Sequence, residues 1–348
     1  MGKIFIAFAG KKPDESEGIL RLSPAIEYWN LQKLDFDTFV NLVKKVIHPV
    51  NDNVTDDRYA QDIWKCDVSQ LYQKEASFGL LLPTPATDRN FGYDYEVLHA
   101  LNLFSPAFLY PIIHVDDLGC WATPHLHTSK EYGQTSHDQP DLSGHFRAKN
   151  FVEYFEKIFG ALDYFWRNRD REESWKAVDW RLCWAHTLFG DLRRYQNTGK
   201  RQGTFLKECL DLCVILESLF SDQKEENISS KLRYRTAALL GSLQKDTETM
   251  VKKLYGLRSD YVHGEVFRTM KGFDDGSPTS EHFSFLAKST TYVRYLLIAY
   301  TYLSIHHADF GIEDGGLVPL LESAILDCAL RKKIQEKAGE ILYLLPTD

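Results

Sequence analysis

Leu254-Tyr255-Gly256-Leu257-Arg258-Ser259-Asp260-Tyr261-Val262-His263-Gly264 is the most informative stretch of the chain. Its apolar positions sit at helical spacing, and Gly264 is a natural residue to stop a helix in the left-handed conformation. Arg258 and His263 are thus expected in the last turns of that helix. Five residues apart, they lie about 140° from one another round an ideal helix. They flank one groove or interface rather than stack. Ser259 precedes His263 by four residues, on its face, within reach of the imidazole or of a phosphate.

Outward from this stretch, the pattern is helical from Ala148 to the C-terminus. Helices are expected near 148–168, 174–196, 203–220, 229–244, 246–262, 283–306 and 316–342. The breaks fall at Asn197-Thr198-Gly199, at Ser221-Asp222 and across 272–280. No period repeats, so an α-helical bundle fits and a solenoid does not. Residues 1–147 read differently, as a mixed α/β domain. Strands are expected at Lys3–Ala9, Phe78–Leu82 and Phe108–Val115, and helices at Asp35–Ile47 and Tyr95–Leu103. Residues 119–146 read as loop. All seven Trp fall at or before Trp184, which also separates the two halves.

Composition and charge narrow the function classes. The chain has 348 residues, 44% hydrophobic and 26% charged, which excludes a largely disordered chain. No run approaches a membrane span of about 20 apolar residues. The six cysteines are scattered with no CxxC pair, and the start lacks the length of a signal peptide. The expectation is a cytoplasmic chain with reduced thiols. Net charge is −8, but Arg193 to Lys271 holds 15 Lys/Arg against 10 Asp/Glu. Positive charge concentrated in that way lets an acidic protein handle RNA. Arg193, Arg194, Lys200, Arg201, Lys231, Arg233, Lys252, Lys253 and Arg268 are candidates to follow an RNA backbone. Each by itself reads better as an ordinary solvated side chain.

Two charges sit near apolar stripes of their helices. Glu217 follows Leu206, Leu210 and Cys213, and Arg235 shares a stripe with Leu232 and Leu239. A buried charge needs a partner, so a Glu217–Arg235 ion pair is expected. The functional alternative has Arg235 in a cleft, on RNA. Tyr255 and Tyr261 flank the Arg/His pair and suit stacking on unpaired bases, although Tyr255 fits core packing better. Cys120, His125, His127, His137 and His145, with His114 just before, are of metal-ligand type. Their spacings match no closed zinc pattern, and no metal or cofactor is expected. No Walker A loop, GxGxxG after a strand, HExxH or GxSxG is present.

The ordered set Glu217-Ser-Leu219-Phe220, Lys231-Leu-Arg-Tyr-Arg235-Thr-Ala-Ala-Leu-Leu240, Leu254-Tyr255 and Arg258-Ser-Asp-Tyr-Val-His263-Gly264 resembles the HEPN superfamily of ribonucleases, in particular its Apea-like branch. The resemblance covers about residues 200–310. It implies a helical bundle that dimerises, with two Arg-x4-His motifs facing one cleft. Arg258 and His263 would be catalytic, and Ser259, Asp260, Tyr261, Arg235 and Glu217 supporting or RNA-binding. It implies a metal-independent endoribonuclease, with tRNA the expected substrate, acting in antiphage defence or as a toxin. An antitoxin or a phage-derived trigger would be its controlling partner. The alternative is a non-catalytic HEPN module that binds a nucleotide or a protein.

Overall fold

The computed structural model describes residues 3–9, 19–21, 30–33, 76–83, 100, 103–104, 110–116, 119–122, 150, 153–158, 161, 177–197, 205–221, 226–241, 247–265, 279–311 and 316–345. The chain divides into two compact units, the first holding Met1–Phe159 with Leu345–Asp348 and the second Gly160–Leu344.

The first unit contains a six-stranded antiparallel sheet, ordered β2-β3-β4-β1-β5-β6. Its strands are β1 (Lys3–Ala9), β2 (Ile19–Arg21), β3 (Asn30–Lys33), β4 (Ala76–Pro83), β5 (Tyr110–Asp116) and β6 (Gly119–Ala122). β1 is central, with Ile6 opposite Leu80 on one side and His114 on the other. The register against β5 slips between Ala7 and Phe8, next to Pro111. Proline has no N–H for a ladder bond, and a bulge is where a sheet tolerates it. β6 corrects the reading of 119–146 as loop throughout. Gly119 pairs with Asp116 and Ala122 with Ile113. A four-residue strand is too short to show a period, so only its pairing with β5 reveals it. Elsewhere in this unit Phe104 and Tyr154 pack with ring centroids 5.0 Å apart, and the Tyr154 hydroxyl donates to the Ala100 carbonyl. The expected helix at Asp35–Ile47 lies outside the described residues.

In the second unit the described elements are all helical. Its helices are α1 (Ala177–Asn197), α2 (Phe205–Phe220), α3 (Ile228–Leu240), α4 (Thr247–Val262), α5 (Ser280–Ile305), α6 (Leu317–Leu326) and α7 (Cys328–Leu342), with a 3₁₀ turn at His307–Phe310. α5 is the axis of the bundle. Every residue from Tyr292 to Leu303 is buried, and the helix meets each of the other six. A helix buried on every side sits at the centre of a bundle, and this one carries Arg294 and Thr301 among its buried apolar side chains. Thr279 caps its start in a box with His282, whose Nδ1 accepts from the Thr279 N–H at 3.2 Å. Burial, helped by Lys253, lowers the His282 pKa, which keeps that nitrogen free to accept.

The expected single helix over 316–342 is two helices. Asp327 breaks it, its Oδ1 accepting from the N–H groups of Ala329 and Leu330 at 2.9 and 3.0 Å. This is an N-cap, and apolar spacing that runs through it hides it. Gln335 of α7 donates to the Ala237 and Ala238 carbonyls at the end of α3. Gly241, at φ +47°, lets the chain turn there; a Cβ would lie 2.1 Å from the Gln335 amide nitrogen.

Gly241→Ala is therefore expected to destabilise by about 1–3 kcal/mol, through strain and loss of the Gln335 cap. Gly256 on α4 has an ordinary helical φ and nothing within 4 Å of a Cβ. Gly256→Ala is expected to stabilise by about 0.5–1 kcal/mol. Urea unfolding midpoints of the two variants check both signs.

Candidate functional site at the end of α4

α4 packs on α2, α3 and α5. Val251 and Leu254 are its buried positions in the middle turns. Tyr255 and Arg258 continue this inner stripe at i+4 and i+7 from Val251, so they face α2. There they meet Glu217. The Tyr255 hydroxyl donates to Glu217 Oε1 at 2.5 Å, and Arg258 Nε lies 3.5 Å from the same oxygen. The Arg258 guanidinium carbon lies 5.3 Å from the centre of the Tyr255 ring, within cation–π range. Arg258 keeps about a third of its side chain exposed, at 32%.

The helix then stops as its sequence predicts. Gly264 has φ +72°, its N–H donates to the Tyr261 carbonyl, and the Glu265 N–H donates to the Asp260 carbonyl at 2.8 Å. These two bonds make a Schellman motif. His263 is the residue at the turn and is exposed, as are Tyr261 and Val262. Ser259 and Asp260 are half-buried. The Ser259 carbonyl accepts from the His263 backbone N–H at 2.9 Å, and its hydroxyl makes no bond to the imidazole. No hydrogen bond or ion pair joins Arg258 to His263. Within one chain Arg258 turns toward α2 while His263 turns to solvent.

The expected Glu217–Arg235 pair does not form. Arg235 has no exposed surface, and it donates to the Phe220 carbonyl and to Glu322 of α6. It is therefore not positioned in this chain to touch RNA. Glu217 lies one turn before the end of α2 and serves α4 instead. The sequence pointed to Arg235, and the packing of α4 against α2 selects Arg258 instead. Tyr255, expected mainly as core, is a polar partner in this cluster. Its signal was the i, i+3 spacing of Tyr255 and Arg258 on the stripe that meets Glu217.

The wider set of basic residues is divided. Arg233 pairs with Glu248 at 3.3 Å, and Lys253 sits 4.3 Å from the centre of the Phe285 ring. Lys252 is exposed on α4. Arg193 and Arg194 fall in α1, and Lys200, Arg201 and Arg268 lie outside the described residues. Of the Cys/His cluster, His114 and Cys120 fall in β5 and β6, and His125, His127, His137 and His145 lie outside the described residues. Among the described residues no helix is long and apolar enough to cross a membrane.

The two thiols of α2 behind the site are uncharged at neutral pH. Burial pushes the Cys213 thiol, one turn before Glu217, up to about 12, with Glu217 adding to the rise and Arg258 opposing it. Burial also raises Cys209. Iodoacetamide at pH 8 is thus expected to label exposed Cys328 and to spare Cys209 and Cys213 until urea unfolds the chain, as read by peptide mass spectrometry.

Burial, and then the hydrogen bond to Glu217, raise the Tyr255 pKa above the ordinary tyrosine range, with Arg258 pulling less strongly the other way. A raised phenol contributes stability that is complete below its unfolded pKa of about 10 and is lost as pH rises beyond it. Tyr255→Phe should therefore make the alkaline fall of the urea midpoint shallower, between about pH 9.5 and 11.5.

Comparison with known proteins adds no relative: no family model, no curated protein and no solved structure matches the chain.

Proposed function

We propose that the chain is a metal-independent endoribonuclease of the HEPN kind, with Arg258 and His263 as its catalytic residues. One observation carries the reading. The end of α4 presents a partly exposed guanidinium and an exposed imidazole five residues apart, on a turn held by two backbone bonds.

RNA brings its own nucleophile, the 2′-OH. The reaction needs a proton carrier and a cation. An imidazole carries one nitrogen that donates and one that accepts, so His263 suits either proton transfer, to the leaving 5′-oxygen or from the 2′-OH. Arg258 remains charged and offers planar N–H donors that match phosphate oxygens, stabilising charge as the phosphorane forms. Attack of the 2′-oxygen on phosphorus breaks the bond to the 5′-oxygen. The products are a 2′,3′-cyclic phosphate and a 5′-OH end. Tyr261 is exposed beside the motif and suits stacking on an unpaired base.

The separation of Arg258 from His263 within one chain favours a composite site. In a homodimer, Arg258 of one copy and His263 of another share one cleft. The expected substrate is tRNA, and the expected setting is cytoplasmic antiphage defence or a toxin held by an antitoxin. Residues 1–147 would then carry the sensing or inhibitory role. The second reading is a non-catalytic module that binds a nucleotide or protein at the same end of α4. The Glu217 carboxylate beside Arg258 favours it, because it already offsets the arginine charge.

Purified protein is incubated with total tRNA in excess EDTA, beside His263→Ala and Arg258→Ala. Cleavage by the wild type alone, leaving cyclic-phosphate ends, is the expected result. The loss in each variant should be at least about 100-fold. Cleavage retained in both variants overturns the assignment.

A further inference from the structure

Among the described residues Arg258 is held on one edge and one face. Its Nε edge meets Glu217 Oε1 at 3.5 Å, and its face lies over the Tyr255 ring at 5.3 Å. The same carboxylate oxygen takes the Tyr255 hydroxyl at 2.5 Å. Among the described residues no acceptor engages Nη1 or Nη2. Those two nitrogens carry four of the five N–H donors of a guanidinium and form the fork that fits a phosphate.

A carboxylate beside an arginine has two possible effects on an incoming phosphate. Seated across the Nη fork, it competes for the same donors. Placed at Nε, it leaves the fork open and limits the rotation of a long side chain, so less freedom remains to be lost when the phosphate binds. Glu217 takes the second position. The Tyr255 hydroxyl fixes the carboxylate, and the Tyr255 ring limits tilt of the guanidinium plane. Cys213, buried and uncharged one turn away on α2, offers Arg258 no rival anion.

We infer that Glu217 and Tyr255 are positioning residues for Arg258, holding its guanidinium by the Nε edge and one face so that the Nη fork meets an RNA phosphate. The inference rests on the ribonuclease reading above. Glu217 and Tyr255 act through Arg258 and do not touch RNA.

The test uses the full chain as wild type, Glu217→Gln, Tyr255→Phe, Arg258→Ala and the Glu217→Gln/Arg258→Ala double variant. Single-turnover cleavage of tRNA gives the rate and KM. Binding of 2′-O-methylated RNA, which cannot be cut, gives affinity, and thermal unfolding checks that each protein is folded. Glu217→Gln should slow cleavage by about 10- to 100-fold, with KM changed by about threefold or less. Tyr255→Phe keeps the ring and should slow it by about 3- to 10-fold. In the Arg258→Ala background, Glu217→Gln should leave RNA affinity unchanged, because positioning has lost its object.

Four results overturn the inference. If Glu217→Gln and Tyr255→Phe cleave like wild type while Arg258→Ala is inactive, positioning fails and the ribonuclease reading stands. If Glu217→Gln binds RNA more tightly and cleaves faster, the carboxylate is a competitor. If Glu217→Gln weakens binding equally with and without Arg258, it acts by another route. If wild type leaves RNA uncut and binds the methylated RNA no better than Arg258→Ala does, the ribonuclease reading fails and takes this one with it. Should Glu217→Gln not fold, the nearly isosteric Tyr255→Phe decides by the same criteria.

Discussion

A guanidinium with no exposed surface must find its partners within the fold, and among those of Arg235 are two that join helices. It donates to the Phe220 carbonyl, at the end of α2, and to Glu322 on α6. Leaving such a cation unmatched costs several kcal/mol, so the two contacts fix α2, α3 and α6 relative to one another. Arg181 of α1 reinforces the same place, donating to the Ser221 carbonyl at 2.7 Å. Two cations thus sit at the carbonyl end of α2, where the helix dipole favours them. With Arg235 committed to Phe220 and Glu322, Glu217 is left to α4.

That allocation explains the character of the site. A carboxylate in the last turn of a helix is disfavoured by the dipole, and Glu217 depends on Tyr255 and Arg258 to offset it. The inner side of α4 is therefore well determined: Val251 and Leu254 are buried, Tyr255 is bonded and Arg258 is anchored at Nε. The outer side is exposed among the described residues. Tyr261, Val262 and His263 remain exposed where the Schellman turn ends the helix. A rigid inner edge beside an open outer edge suits a site completed by another molecule.

The helical bundle was legible in the sequence because its signals are local. Helix positions through α1 to α5 follow apolar spacing and the breaks between segments, and Gly264 announces its left-handed stop. β1, β4 and β5 were legible as short apolar runs. β6 was not, because a four-residue strand has meaning only against its neighbour. The break at Asp327 was hidden for the opposite reason. One capping side chain interrupts a run whose apolar pattern continues across it, and capping is a weaker signal than periodicity.

By itself the sequence determined which residues are chemically able to act: a helix ending in Gly264, an arginine and a histidine five positions apart, and a carboxylate on another helix. All of this follows from backbone conformational preference and from side-chain type. Only the tertiary structure decided the pairing. Spacing pointed to Arg235 as the partner of Glu217, and the actual choice rests on which helix end lies against which. Arg235 ends in the interior because α6 brings Glu322 to it. Arg258 ends partly exposed beside Glu217 because α4 packs on α2. Those distances belong to residues dozens of positions apart, and no local pattern contains them.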